Sequence, residues 1–226
     1  MQRFNIFSNV HKGLRALLYH TANSLQQTDF ATSHEADLVM KQVVEVMDLF
    51  DRHAFSEDNF VLPAVDLYEP AAAALFEDEH VEDHVLGNRI RSLVNIFNHN
   101  FITEERVILG GAVRVAFIDF LIFNLKHMAK EENLLNNFLW ANYTDEQLHG
   151  ITREIMANIA PDDMVLFSRW MMNGMNNAEI IAWLKEVRNN APAFVFNNLF
   201  SIAANELSAL RWLAVKDSLV DGAMVA

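Results

Sequence analysis

Apolar residues recur with helical spacing over most of the chain, and this pattern predicts four long helices. The predicted helices cover residues 4–27, about 33–62, 70–97 and 103–142. Pro70 is typical of the first turn of a helix, and Thr32 followed by Glu35 predicts a capping box. Gly110 and Gly111 weaken the fourth helix locally, so a break or a close helix contact is expected there.

The chain beyond residue 142 has a different pattern. Shorter helices are predicted at about 145–158, 161–173, 177–188, 192–205 and 207–219. Thr144 with Gln147 predicts another capping box. The many Met and Trp residues of this part are interpreted as core. The expected fold is all-α: an up-down-up-down four-helix bundle over residues 1–142, then a C-terminal helical extension over 143–226.

The core-facing stripe of the fourth helix contains an acidic residue. At 100° per residue, the stripe consists of Ala116, Phe120, Phe123, His127, Glu131, Leu134 and Phe138. An unpaired carboxylate in a core costs several kcal/mol, so Glu131 needs a partner. A salt bridge, a solvated groove or a metal ion would each supply one.

Imidazoles and carboxylates recur on the inward stripes of all four long helices, which favours a metal. The set is His11 on the first, His53 and Glu57 on the second, His80 and His84 on the third, and His127 and Glu131 on the fourth. A spacing of four places two side chains about 6 Å apart along one face. Iron, manganese, zinc or copper suits these ligands better than calcium or magnesium. The remaining histidines are expected at the surface or in packing: His20, His34, His99 and His149.

Composition excludes several other kinds of protein. The chain has no cysteine, which rules out disulfides, thiolate metal sites, iron–sulfur clusters and cysteine nucleophiles. A formal net charge of −13 disfavours nucleic acid and anionic membrane surfaces as partners. We see no apolar run near the roughly 20 residues of a bilayer span and no signal-peptide pattern, so the cytoplasm is the expected location. No Ser-His-Asp arrangement or phosphate-binding loop is found.

The order of these motifs resembles the hemerythrin-like, or HHE cation-binding, family. The motifs are His11, HAFSE (53–57), HVEDH (80–84) and HMAKE (127–131), and the resemblance covers about residues 5–140. The helices that follow are similar to the tail of many bacterial members. The resemblance implies a solvent-bridged, non-haem centre of two iron ions. The residue roles that it implies are His80, His84 and His127 on one iron, His11 and His53 on the other, and Glu57 and Glu131 bridging the two.

Two departures from the family pattern matter. Oxygen-carrying hemerythrins have an Asp five residues after the last His, where this chain has Glu132, whereas Glu131 matches the spacing of bacterial and iron-sensing relatives. Glu131 is preferred because it continues the apolar stripe, and Glu132 stays an alternative; Asp58 adjoins Glu57 in the same way. The iron–sulfur repair branch tends to have a cysteine-bearing amino-terminal segment, which is absent here.

Counting the implied ligands leaves one open position, on the iron held by His11 and His53. The favoured function is therefore to bind or sense O₂ or a related small molecule such as NO or peroxide, without catalytic residues. A di-iron oxidoreductase acting on the same molecules is the main alternative, and a metal-stabilised interaction module is another. Three alternative roles stay open for the C-terminal helices: covering the bundle, forming a homodimer or contacting another protein.

Overall fold

The computed structural model describes residues 3–221, which are helical almost throughout, with no strand in that range. The α-helical segments are α1 (Ser8–Gln27), α2 (Ser33–Ser56), α3 (Leu62–Asp66), α4 (Pro70–Asn98), α5 (Thr103–Lys130), α6 (Asn136–Asn142), α7 (Asp145–Asn158), α8 (Pro161–Gly174), α9 (Asn177–Asn190), α10 (Ala193–Glu206) and α11 (Ala209–Asp221). Two π-helical segments, π1 (Glu57–Val61) and π2 (Glu131–Leu135), join α2 to α3 and α5 to α6. The segments thus form nine helices within the described range, and the all-α prediction is confirmed.

Side-chain hydrogen bonds at the helix starts test the predicted capping boxes and the predicted start of the first helix. The side chains and backbones of Thr144 and Gln147 form the predicted capping box at α7. Thr32 precedes α2 as predicted, but its side chain makes no capping hydrogen bond. α1 begins at Ser8 rather than near residue 4, because the side-chain Oδ1 of Asn5 accepts hydrogen bonds from the backbone N–H groups of Phe7 and Ser8.

The two π segments displace the buried stripes by one residue. At 3.6 residues per turn, the stripe through His127 continues at Leu134, and the same period continues the stripe through His53 at Phe60. Leu134 is instead 44% exposed and Phe60 is half-buried, whereas Val61 and Leu135 are buried. The wider turn accounts for this, since the carbonyls of Glu57 and Glu131 accept from the N–H groups five residues later. π turns of this kind are frequent at functional sites.

The described chain divides into two compact units. The first contains residues 3–8 and 17–159, and the second contains residues 9–16 and 160–221. In the first unit α4 contacts α2, α3 and α5. One of its core clusters consists of Phe7, Val61, Leu62, Val65, Ala73, Phe76, Leu135, Leu139 and Leu148. α7 therefore packs with the first unit, while the predicted bundle topology and the domain boundary after residue 142 stay predictions.

The paired glycines of α5 do not break the helix. α5 is continuous through Gly110 and Gly111, and Gly110 packs directly against the ring of Phe30. A β-carbon at residue 110 would overlap that ring, whereas one at residue 111 would meet nothing within 4 Å. The expected break is absent, and the close contact of Gly110 is with a residue of the turn between α1 and α2 rather than with another helix.

The second unit has its own core. It consists of Met172, Met175, Ile180, Leu184, Leu199, Ala203, Leu207, Val215 and Leu219. Gly174 of α8 lies directly against the backbone of Lys12, and Lys12 forms an ion pair with Glu179. The interpretation of the Met residues as core is confirmed for Met172 and Met175.

The helix over Thr103–Asn142 is more apolar than expected. It contains an 18-residue window of mean hydropathy 1.9, of which 33% is buried. By length and composition this helix is able to cross a membrane, a test that core helices also pass. The expectation that no stretch approaches a bilayer span is therefore wrong for this helix.

Candidate metal site

Two groups of buried imidazoles and carboxylates lie in the first unit. Ligand atoms of Glu57, His80, His127 and Glu131 all lie within 4.8 Å of one another, and all four residues are buried. The ligand atoms of His53, Glu57 and Glu131 meet the same limit. Both carboxylates therefore belong to both groups, an arrangement that could hold metal ions.

The Nε2 atoms of three histidines lie beside the two shared carboxylates. His53 Nε2 is 3.2 Å from Glu57 Oε1, and His127 Nε2 is 3.2 Å from Glu131 Oε1. His80 Nε2 lies between them, 3.5 Å from Glu57 Oε2 and 3.9 Å from Glu131 Oε1. This buried nitrogen has no hydrogen-bond partner among the described residues. A metal ion would give it a ligand bond, so the residues fit a cation.

The opposite ring nitrogens of two histidines are held by carboxylates. His80 Nδ1 lies 2.5 Å from Asp58 Oδ1, and His127 Nδ1 lies 2.9 Å from Glu79 Oε2. Glu79 also accepts a hydrogen bond from Lys130. Metal-binding histidines typically donate their second N–H to a carboxylate, which fixes the tautomer and makes the other nitrogen a better ligand. Both rings have this arrangement.

The electrostatics of the site favour positive charge between the carboxylates. Burial lowers the pKa of His80, but the hydrogen bond to Asp58 and the negative charge of the nearby Glu57 outweigh it and raise that pKa to about 10. For His127, burial is likewise outweighed by its contacts with Glu131, and the pKa lies above its ordinary value. Burying two carboxylates together is costly unless cations accompany them. In the metal-free protein, a proton on His80 would supply part of this charge.

The structure groups five of the predicted ligands within the first unit. It brings together His53, Glu57, His80, His127 and Glu131. His84 is exposed on α4, where its Nδ1 lies 3.0 Å from Asp51 Oδ1, so it does not follow the expected inward line. His11 is fully buried on α1, in the segment assigned to the second unit. The roles of His84 and His11 as ligands stay predictions.

Three further details concern the neighbours of the predicted ligands. Glu132 is half-buried and outside both groups, whereas Glu131 belongs to both. Asp83, rather than His84, takes the inward position on α4 and accepts a hydrogen bond from Asn124 at 2.6 Å. Of the histidines predicted to lie outside the site, His20, His34 and His99 are exposed, and His149 stacks on Phe4.

Sequence reasoning missed the residues that hold the histidine rings. Glu79 precedes His80 in the chain but contacts His127 on another helix, which no spacing along one helix indicates. A second signal was available in the near repeat of HAFSEDN (53–59) and HMAKEEN (127–133). The Asn of each copy donates to the carbonyl four residues earlier at 2.7 Å, beside the π turn. The repeat therefore marks the two wide turns as well as the two His–Glu pairs.

Comparison with known proteins adds no family assignment, because no family model, no curated protein and no solved structure matches this chain.

Proposed function

We propose that the first unit holds a hemerythrin-like, non-haem di-iron centre, and that the protein binds or senses O₂ or a related small molecule there. The observation that carries this proposal is the pair of buried carboxylates surrounded by imidazole Nε2 atoms. A salt bridge alone would not require histidines from α2, α4 and α5 to meet at the same two carboxylates. An up-down-up-down bundle is the arrangement that this site would suit.

The residues divide naturally between two metal ions. His80 and His127 would hold one ion, His53 would hold the other, and Glu57 and Glu131 would bridge them. We propose His11 as the second imidazole of the His53 ion, since it is a fully buried polar residue on α1. Without His84, each ion has two imidazoles, so an open position is not confined to the ion that His53 holds.

In the proposed function the protein mainly holds the metal ions and orients the side chains that bind them. An iron ion with an open coordination position, when bound, supplies a redox-active site for O₂, NO or peroxide. Asp58 and Glu79 keep the His80 and His127 rings in the tautomer that presents Nε2 to the site. Phe76 and Phe123 flank the His127 ring, with centroids 5.7 Å and 5.9 Å away. These apolar neighbours favour binding over turnover, which benefits from a positioned acid or base.

Metal analysis tests the metal part of the proposal. Protein expressed in iron-replete medium is expected to contain close to two iron ions per chain. His127→Ala should lower this content, and His20→Ala, an exposed residue of α1, serves as the matched control. Absence of any transition metal would refute the site, whereas full occupancy by another metal would overturn only the iron assignment.

Spectroscopy tests the ligand part. The iron-loaded protein is reduced anaerobically, mixed with O₂ in a stopped-flow instrument and followed optically together with peroxide consumption. A long-lived coloured species with negligible turnover is the expected result. Rapid, repeated consumption of peroxide that is lost in Glu57→Ala would instead identify a di-iron oxidoreductase.

A further inference from the structure

α5 has an exposed apolar face as well as its buried one. Ile108, Val115 and Ile122 follow one another at intervals of seven residues and are 72%, 55% and 46% exposed. Ile118, which is 43% exposed, lies between the last two of them, three residues after Val115. The buried line of the same helix is a different set, which includes Val113, Ala116, Phe117, Phe120, Asn124 and His127.

This face leaves α5 with more apolar surface than the chain itself covers. Only 33% of the most apolar window of Thr103–Asn142 is buried. A helix that is hydrophobic around its circumference is normally buried on all sides. Single exposed apolar residues need no explanation, but a continuous stripe marks an interaction surface.

The spacing of the stripe indicates another helix as its occupant. Ile108, Val115 and Ile122 take the a positions of a heptad, and Gly111, Ile118 and Leu125 take the d positions. Such a seam accepts a helix by knobs-into-holes packing. A β-carbon added to Gly111 would meet nothing within 4 Å, so this part of the seam is open to a close approach.

The charges beside the stripe indicate a second copy of the same chain. Arg114 and Asp119 take the g and e positions on opposite flanks, and they are five residues apart. In a parallel pair of identical helices, a g residue lies opposite the e residue five positions later on the partner, so Arg114 would face Asp119 twice across the two-fold axis. The present ion pair of Asp119 with Arg89, at 3.8 Å, is exposed and weak, and it does not compete with that contact.

We infer that the protein forms a parallel, two-fold homodimer through the stripe of α5 defined by Ile108, Gly111, Val115, Ile118, Ile122 and Leu125, of which Gly111 and Leu125 are half-buried and the other four are exposed. This interface differs from the homodimer through the C-terminal helices that the sequence suggested. It uses none of the proposed metal ligands, so the test of the dimer does not depend on whether the metal site is correct.

Disulfide trapping tests the pairing and its direction, because the chain has no native cysteine. Ile108→Cys and Ile122→Cys are made separately, 14 residues or about 21 Å apart along the helix. In a parallel pair each new thiol lies beside its own counterpart, so mild oxidation should cross-link both variants. Val85→Cys on α4, at a site 63% exposed, is the control and should stay uncross-linked. A third variant, Val115→Cys, lies midway between these two sites. In an antiparallel pair only residue 115 would lie beside its own counterpart, so cross-linking of this variant without the other two would overturn the parallel assignment.

Sedimentation of the full chain provides the second test. The unchanged protein should have a mass near twice 25.8 kDa, and Val115→Glu with Ile118→Glu should be monomeric with unchanged helical circular dichroism. Val81→Glu with Val85→Glu, on the exposed face of α4, should stay dimeric. Arg114→Asp and Asp119→Arg should each weaken the dimer, and the double reversal should restore it.

Two results would overturn the inference. A monomeric unchanged protein with no cross-linking in either cysteine variant would show that no second copy occupies the stripe. A monomer that co-sediments with phosphatidylcholine vesicles, and loses this on Val115→Glu with Ile118→Glu, would assign the stripe to a lipid surface instead.

Discussion

The carboxylate of Glu79 is expected to set the metal affinity of the site without touching the metal. Its Oε2 lies 2.9 Å from His127 Nδ1, and its side chain is only 13% exposed. Loss of such a partner typically weakens metal binding about 10- to 100-fold, which is about 1.4 to 2.7 kcal/mol. Glu79→Gln keeps a neutral acceptor for the ring N–H, so we expect about a tenfold loss. Glu79→Ala removes the acceptor altogether, so we expect a loss of about a hundredfold.

The assay is an anaerobic titration with Fe²⁺ against a chelator of known affinity. Glu82→Gln is the matched control, since it removes the same charge from the same helix and lines the same surface depression beside His127. Unchanged affinity in Glu79→Ala would refute the argument that this carboxylate orients His127. Equal weakening by Glu79→Gln and Glu82→Gln would show that overall charge, rather than the hydrogen bond, is responsible.

Four further outcomes are expected. Because His84 is exposed and lies outside the groups, His84→Ala should keep the metal content that His80→Ala loses; equal losses in metal analysis would restore His84 as a ligand. Metal removal should lower the melting temperature, because a metal that binds only the folded state adds about 4 kcal/mol to the free energy of unfolding when its concentration is about a thousand times Kd. An unchanged melting curve would contradict this. The pKa of His80 rises from 6.5 to about 10 on folding, so the free energy of unfolding of the metal-free protein should fall as pH increases from 6.5 towards 10. Urea titration at a series of pH values measures this fall, and His80→Gln should reduce it. Gly110→Ala should destabilise the protein by about 1–3 kcal/mol through overlap with Phe30. Gly111→Ala should stabilise it by up to about 1 kcal/mol, and equal effects of the two glycine variants in thermal unfolding would refute the contact.

The sequence by itself determined where the helices lie and which residue types they turn inward. Apolar periodicity located the nine helices of residues 3–221, because burial of one face is recorded directly in the spacing of residues along one helix. It also singled out His53, Glu57, His80, His127 and Glu131, since polar residues within an apolar stripe are visible without any tertiary information. These residues do meet in the first unit.

Only the tertiary structure decided how the helices turn and what each ring contacts. The π turns after Glu57 and Glu131 depend on packing that makes one extra residue per turn favourable, so a fixed period of 3.6 residues wrongly predicted Leu134 in the core. The contact of Glu79 with His127 joins residues 48 positions apart on different helices. Contacts of that kind follow from the rotation of one helix against another, which the spacing of residues along either helix does not record.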